Sequence, residues 1–425
     1  MQAPLSLAEV SSAHRENANA FAALTFAPRE VPSATERFDF GQWKHDCSHP
    51  VIFKGVVSDW PLTQSLAGCA DDRARLHYLA RAFGRNTVEY TQVPRRDPFM
   101  GYDEHGRQNF EYALAKCTLS DFCERLRAYQ DDPQADVLYA RGGANALRSW
   151  TDFANSTRPL SMLRGLKAHG EGIWLGSGLH TTYLHQDAHF NFFAMVAGSK
   201  RVILYPLEAI ADLYPTPFFG GVAGTTSSFV RPVTPDYGRF PRFRYAAKQS
   251  WVAVLEPGDL LCIPPCWWHH VEAARGLNLM INAFAWALEP RLEYQFEVAM
   301  RKSIAIALTL NAAELSDVRE RLYATSDVRV HGNVDLSQQA RILLRTLARF
   351  MKPAIPGYWQ KIARCYYDHY IFQINGEPVA AHPERHAAWA RSEAAAKQRL
   401  RHWLRFRRAL LQMRYRYVRA HGLIP

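Results

Sequence analysis

The chain has 425 residues, of which 48% are hydrophobic and 21% charged, so it can bury a large core and form two or three domains or subdomains. The first thirty residues contain no long apolar run behind a basic start, and we expect neither a secretory signal nor a membrane span. The seven cysteines are scattered and form no Cys-x-x-Cys pair, a pattern typical of reduced thiols. These features exclude a disulfide-stapled or membrane-spanning class and predict a cytoplasmic protein.

The formal charge of +11 is concentrated at the end of the sequence. Residues 383–425 contain eleven basic residues against only two acidic ones, Glu384 and Glu393. A basic surface of this kind attracts nucleic acid or an acidic partner. A solvated helix face is the simpler interpretation, so nucleic acid is not the partner that we expect.

The sequence before the middle of the chain predicts an irregular arm over 1–36 and a mixed α/β region over 37–165. In the α/β region, Val51–Phe53 and Val56–Val57 have the pattern of short strands that are separated by Gly55. Helical patterns follow at 65–83 and at 119–129, with Thr118 and Ser120 as candidate caps of the second helix.

Residues 166–290 contain short β-rich segments that are separated by Gly, Pro and Asp turn signals, with no helical pattern between them. Closely spaced strands of this kind favour an antiparallel sandwich or barrel. Together with 37–165 they are predicted to form one domain. From 291 to 425, apolar residues three and four apart predict a helical region that ends in an Arg-rich helix.

The segment "TTYLHQDAHFNFFAMVAGSKRVILYP", residues 181–206, places polar groups on an otherwise apolar strand pattern. Read as one continuous strand, its alternation puts His185, Asp187 and Asn191 on the same face. A second segment, "EPGDLLCIPPCWWHHVEAA", residues 256–274, carries His269 and His270 on a later predicted strand. Two imidazoles and one carboxylate on one face of a metal are typical of non-haem Fe(II) oxygenases, whereas structural zinc favours a closed tetrahedral set.

These two segments, with "PVIFKGVVSDWPL" at 50–62, resemble the JmjC, or cupin-like, Fe(II)/2-oxoglutarate oxygenases. The motif pattern is closest to the protein hydroxylases of that family, among them the asparaginyl hydroxylase that acts on hypoxia-inducible factor. The resemblance covers at least residues 173–286. It implies a mainly β fold, a double-stranded β-helix or jelly-roll barrel with flanking helices, followed here by the C-terminal helical region.

The resemblance places the metal on His185, Asp187 and His269. The family's last ligand is the first histidine after a tryptophan pair, which selects His269. Neighbouring residues of a strand face opposite sides, so only one of His269 and His270 can enter the site. His270 is therefore expected to have a structural role.

The resemblance also places the 2-oxoglutarate cosubstrate. Lys200, just after the "AGS" turn, matches the cation that receives the distal carboxylate, because an ammonium can pair with that group in an apolar barrel. Four further residues match cosubstrate contacts: Thr182, Asn191, Val271 and Asn282. Phe284 stands where the similar hydroxylase carries a tryptophan, and this difference leaves the substrate open.

The activity implied by the resemblance needs Fe(II), 2-oxoglutarate and O2 and releases succinate and CO2. We expect hydroxylation of a side chain in a protein or peptide. Alternatives are hydroxylation of a small molecule or a peptide natural product, N-methyl-lysine demethylation, and a non-catalytic cupin-like binding module. We also expect a homodimer held by helices after Arg291, because the hydroxylases that this chain resembles often dimerise through helices that follow the barrel. Trp389, Ala396, Trp403, Leu410 and Tyr417 recur every seventh residue and form an apolar stripe, which needs a partner surface either on a second copy or on the chain's own barrel.

Overall fold

The computed structural model describes residues 20–34, 39–47, 49–100, 115–132, 134–142, 155–158, 160, 166–215, 226–286, 357–358, 360–362 and 365. Within these ranges, fifteen strands form two sheets and the helices are few and short. This mainly β architecture confirms the predicted fold class. The arm before residue 20 and nearly all of the region after Trp286, including the predicted apolar stripe, lie outside the described residues.

The described residues before position 143 supply six strands and four helices. The strands are β1 (Arg29–Glu30), β2 (Val51–Phe53), β3 (Thr87–Val93), β4 (Phe99–Met100), β5 (Ala115–Thr118) and β6 (Val137–Gly142). The helices are α1 (Phe40–Asp46), α2 (Pro61–Ala67), α3 (Asp72–Phe83) and α4 (Leu119–Asp131). Helix α4 begins where expected because the Thr118 hydroxyl accepts a hydrogen bond from the Asp121 amide at 3.1 Å.

Two details of the region before residue 143 differ from the prediction. The helix expected over 65–83 is two helices, because α2 ends at Gly68 and Asp71 caps a new helix through the Ala74 amide at 2.8 Å. The strand expected at Val56–Val57 is wrong. These residues lie in a turn after Gly55, whose φ of 69° diverts the chain from the extended direction of β2.

Eight of the described strands, all from Lys167 onward, form the barrel. They are β7 (Lys167–Gly178), β8 (Thr181–Gln186), β9 (Phe190–Ala197), β10 (Lys200–Tyr205), β12 (Trp251–Leu255), β13 (Leu260–Ile263), β14 (Trp268–Ala273) and β15 (Arg275–Trp286). One antiparallel sheet has the order β7-β15-β9-β13 and the other has the order β8-β14-β10-β12. The chain therefore passes between the sheets at most connections, as a jelly roll does.

The connection from β10 to β12 is long. It contains a 3₁₀ helix (Leu207–Asp212), the strand β11 (Thr226–Ser227) and the helix α5 (Phe243–Ala247). The connection from β9 to β10 is short, with Gly198 and Ser199 alone between the strands. Gly198 has a φ of 78°, and a Cβ there would lie 2.3 Å from the Leu277 carbonyl oxygen, so only glycine fits this turn.

Two apolar clusters stabilise the fold. The inner cluster lies between the two sheets and includes Phe193, Met195, Val202 and Val271. The outer cluster packs the helices against the outside of the barrel and also includes Tyr358 and Ile362 from the C-terminal region.

Every helix in the described ranges falls short of the length and apolarity that crossing a bilayer requires.

The segment 181–206 is not the single strand that its alternation suggested. Strand β8 ends at Gln186, residues 187–189 cross to the other sheet, and β9 begins at Phe190. Asp187 therefore lies in a connection between sheets rather than on a strand face.

Strand β1 pairs with β12, so part of the predicted arm joins the barrel, while the predicted domain boundaries stay predictions.

Candidate metal centre

A β-bulge sets the direction of the first histidine. In the β8–β14 pairing, His185 lies opposite His269 and Thr182 lies opposite Val271. Three steps along β8 thus match two steps along β14, so β8 carries one extra residue. Thr182 and His185, which would face opposite sides of a regular strand, consequently both face the interior beside His269 and Val271.

Three potential metal-binding side chains meet at this point. The ligand atoms of His185, Asp187 and His269 all lie within 4.8 Å of one another, and the two imidazole rings are 4.2 Å apart between centroids. The connection that carries Asp187 is fixed by its own backbone, since its carbonyl oxygen accepts a hydrogen bond from the Cys266 amide at 2.6 Å. Cys266 has a φ of 62°, an unusual conformation for a residue with a side chain.

Both imidazoles are held through the same ring nitrogen. His185 Nδ1 lies 2.8 Å from the Tyr183 carbonyl oxygen, and His269 Nδ1 lies 3.1 Å from the Trp267 carbonyl oxygen. A carbonyl can only accept, so each Nδ1 carries a proton, and Nε2 is the ring nitrogen that is available to a metal ion. Metal-binding histidines are held by such contacts from their second nitrogen.

The protonation states of the group also suit a cation. Burial, followed by the nearby His269, lowers the pKa of His185 to about 4, so this imidazole is neutral near pH 7. Burial by itself would raise the pKa of Asp187, but His269, His185 and His189 hold that pKa below its usual value. Asp187 is therefore ionised, and metal ligands are needed in these deprotonated forms.

The Nε2 atom of His269 shows that the cluster fits a metal. This atom is buried, makes no hydrogen bond within the described residues, and lies 3.4 Å from Asp187 Oδ2. A buried polar atom without a partner costs free energy unless a ligand satisfies it. Two imidazoles and one carboxylate suit Fe(II) with open positions, so the residues present fit the ion that the sequence suggested.

His270 lies apart from the cluster. Its ring is buried and stacks on Phe99 with 6.3 Å between centroids. Burial, with the charge of Arg201 next in importance, lowers its pKa to about 3, so it is neutral. This placement accords with the structural role expected for it.

Lys200 is fully buried in the same barrel. Its ammonium Nζ lies 3.2 Å from His180 Nε2 and 5.5 Å from the ring centroid of Tyr139. Burial lowers the pKa of Lys200 to about 7. Among the described residues no carboxylate pairs with this cation, so the site has an uncompensated positive charge that an anionic ligand would neutralise.

The other predicted cosubstrate residues separate into two groups. Thr182 and Val271 lie opposite each other on β8 and β14, and β14 also pairs with β10, the strand that carries Lys200. Asn191 and Asn282 are buried and hydrogen-bonded to each other, and Asn191 Nδ2 also donates to Asp187 Oδ2 at 2.8 Å. The structure thus brings all of the predicted site residues to one part of the barrel, and their roles as ligands and cosubstrate contacts stay predictions.

Sequence reasoning missed three residues of this region: Tyr139, His180 and Trp174. Tyr139 and His180 surround Lys200, with 3.9 Å between their ring centroids. Trp174 Nε1 donates to Asn282 Oδ1 at 2.7 Å. His180 directly precedes β8, which is a weak signal, whereas Tyr139 is distant in the chain and no local pattern marks it.

The fold and the convergent His/Asp/His group define a cupin-like barrel with a metal-binding geometry. Residues 40–286 match a family model described as a Cupin-like domain, and the chain belongs to this JmjC-type, 2-oxoglutarate-oxygenase-like family. The resemblance drawn from the sequence is thereby confirmed.

Several curated proteins are similar to this chain. HSPB1-associated protein 1 from Homo sapiens is 30% identical over 267 residues, which are 61% of this chain and 52% of that protein. Lysine-specific demethylase JMJ31 from Arabidopsis thaliana is 34% identical over 276 residues, covering 58% of this chain and 48% of that protein. Lysine-specific demethylase 8 from Xenopus tropicalis is 35% identical over 247 residues, covering 56% and 47%. The chain thus matches about half the length of these relatives.

Proposed function

We propose that this protein is an Fe(II)- and 2-oxoglutarate-dependent dioxygenase that hydroxylates a side chain of a protein or peptide. The observation that carries the proposal is the convergence of the ligand atoms of His185, Asp187 and His269, with the Nε2 of His269 buried and unsatisfied among the described residues. The uncompensated ammonium of Lys200 in the same barrel supports a dicarboxylate as cosubstrate. The combination of the three ligand groups with Lys200 disfavours a cupin-like binding module without activity.

His185, Asp187 and His269 would hold Fe(II), which when bound couples decarboxylation of 2-oxoglutarate to oxidation of the substrate. Lys200 binds the distal carboxylate of 2-oxoglutarate. Thr182 on β8 and Val271 on β14 lie between Lys200 and the two histidines. Phe193 packs edge-on against His269 at 5.8 Å and keeps that side of the site apolar. An apolar wall excludes water and strengthens the charge interactions inside.

Lysine demethylation is the second candidate. It is favoured by the names of two relatives, Lysine-specific demethylase JMJ31 and Lysine-specific demethylase 8. Both reactions begin with hydroxylation of a carbon atom and differ in whether that carbon is a methyl group on nitrogen. A protein substrate is common to both candidates and accords with the name of a third relative, HSPB1-associated protein 1. Oxidation of a small molecule or peptide natural product remains the third.

The first test is uncoupled turnover. Purified protein supplied with Fe(II) and 2-oxoglutarate should form succinate, and both His185→Ala and Asp187→Ala should abolish it, because two remaining ligands do not hold iron firmly. His49→Ala is the matched control, since His49 is a partly buried histidine that stacks on Trp251 away from the cluster. Full turnover by both ligand variants would refute the assigned triad.

The second test separates the reactions. The enzyme is incubated with a peptide library that contains unmodified and N-methylated lysine peptides, and products are identified by mass spectrometry. Hydroxylation adds the mass of one oxygen to an unmodified peptide. Loss of one methylene with release of formaldehyde would instead establish demethylation and overturn the hydroxylase assignment.

A further inference from the structure

A chain of three hydrogen bonds connects Trp174 to the carboxylate of Asp187. Trp174 Nε1 donates to Asn282 Oδ1 at 2.7 Å, Asn282 Nδ2 donates to Asn191 Oδ1 at 3.0 Å, and Asn191 Nδ2 donates to Asp187 Oδ2 at 2.8 Å. Both asparagines are 2% exposed. The chain therefore runs through the interior, across β7, β15 and β9, to the connection that carries Asp187.

The two ends of this chain fix its direction. An indole N–H can only donate, and an ionised carboxylate can only accept. Asn282 must therefore turn its oxygen to Trp174, which turns its amide nitrogen to Asn191. Asn191 must in turn direct its nitrogen to Asp187. If Trp174 did not donate, Asn282 Oδ1 would lose its partner, and the Asn282 amide could turn away from Asn191 and leave Asn191 Oδ1 without its donor.

Gly172 leaves the space that this chain needs. A Cβ at position 172 would lie 2.5 Å from Asn282 Oδ1 and 3.1 Å from Trp174 Nε1, the two atoms of the first hydrogen bond. Gly172 lies directly opposite Asn282 in the β7–β15 pairing. Any side chain at 172 would push the amide of Asn282 away from the indole.

We infer that Trp174 is a positioning residue of the metal centre, which acts through Asn282 and Asn191 to hold the Asp187 carboxylate in one orientation. This inference rests on the proposed function, because it assumes that Asp187 binds a metal ion. Groups that hydrogen-bond to metal ligands set the ligand orientation, and their loss typically costs about 10–100-fold in metal affinity. Trp174 is two hydrogen bonds further from Asp187 than Asn191 is, so we expect its loss to weaken metal binding less.

The experiment is a titration of the metal-free protein with Co(II), which reports both affinity and, through its visible absorption bands, ligand geometry. We expect Trp174→Phe to weaken Co(II) binding by about 3- to 10-fold and to shift the absorption bands. Gly172→Ala should do the same although the indole is retained. Trp43→Phe is the matched control, because Trp43 also donates an indole hydrogen bond of 2.7 Å, to the His49 carbonyl oxygen outside the barrel interior.

The possible outcomes distinguish failure of the proposed function from failure of the role inferred for Trp174. If wild-type protein does not bind Co(II), the proposed function fails. If wild-type protein binds Co(II), and Trp174→Phe binds it with unchanged affinity and spectrum while losing as much thermal stability as Trp43→Phe, the role of Trp174 is structural and the inference is overturned. Should Trp174→Phe not fold, the titration of Gly172→Ala decides on the same criteria.

Discussion

At the scale of single residues, Lys200 lies where the cosubstrate's carboxylate is expected, and its burial lowers the stability of the ligand-free fold. Its ammonium is fully buried beside a neutral imidazole and an aromatic ring. His180 remains neutral because burial, and then the charge of Lys200, lowers its pKa well below the usual value. A cation in such surroundings destabilises the fold until an anion reaches it.

We predict that Lys200→Met stabilises the ligand-free protein. The folded-state pKa of about 7 lies below the ordinary value, so the unfolded chain binds more protons between these two values and wild-type stability rises with pH in that window. The stabilisation by methionine should be largest at or below pH 7, roughly 2–5 kcal/mol since one pKa unit corresponds to about 1.4 kcal/mol, and should shrink towards pH 9. Denaturant unfolding at pH 7 and pH 9 measures it, and a variant less stable than wild type at pH 7 would contradict it.

The same lysine should make cosubstrate binding depend on pH. Below pH 7 the ammonium is already charged, whereas above pH 7 binding of 2-oxoglutarate must take up a proton. We therefore expect affinity to fall with rising pH, by at most about tenfold per unit. Calorimetric titration with 2-oxoglutarate from pH 6.5 to 8.5 tests this expectation, and Lys200→Met should bind about 1.5–3 kcal/mol more weakly with little pH dependence. Unchanged affinity in the variant would mean that another cation receives the carboxylate.

At the scale of elements, the β9–β10 turn positions Lys200. Gly198→Ala forces a Cβ against the Leu277 carbonyl and an unfavourable φ, so we expect a loss of about 1–3 kcal/mol in unfolding free energy. Cosubstrate affinity should fall with it, because Lys200 begins the strand after the turn. Gly357→Ala is the control, since a Cβ there meets nothing within 4 Å. Equal stability of the two variants would show that the turn tolerates a side chain.

The elements also show what could be predicted from sequence. The barrel strands and the α4 cap at Thr118 followed from turn signals and residue patterns, whereas the placement of His185 near His269 followed from the resemblance to the JmjC family. The bulge in β8 did not, because an extra residue changes which side chains share a face without leaving a local signal. The partnership of Trp174 with Asn282 also escaped prediction, since it joins side chains on neighbouring strands that are distant in sequence.

At the scale of the whole molecule, a segment of the C-terminal region around Tyr358 and Ile362 takes part in the barrel's packing. Tyr358 donates a hydrogen bond of 2.6 Å to the Pro265 carbonyl oxygen, and Ile362 is fully buried in the outer cluster. Pro265 precedes Cys266, whose amide holds the connection that carries Asp187. A truncation near Leu288 would remove these core residues, so point variants test the role of the C-terminal region more cleanly.

We predict that the chain forms a homodimer through its C-terminal apolar stripe. Light scattering of the full chain at micromolar concentration should give twice the monomer mass. Leu410→Glu should yield monomers because it places a charge on the stripe, whereas Gln412→Glu, on the opposite side of a helix, should not. A monomeric wild-type protein would refute the dimer, and a dimeric Leu410→Glu protein would refute the stripe as its interface.

The separation of the two histidines along the chain has a consequence for how the protein is made. His185 and His269 are direct neighbours across two strands, yet five strands of sequence lie between them. When only the first part of the barrel has left the ribosome, the His-x-Asp pair offers two of the three candidate ligands, and two ligands would hold a metal ion poorly. If the site binds metal, the ion would enter a barrel that has already closed, and we expect it to slow unfolding of the finished protein without accelerating its refolding.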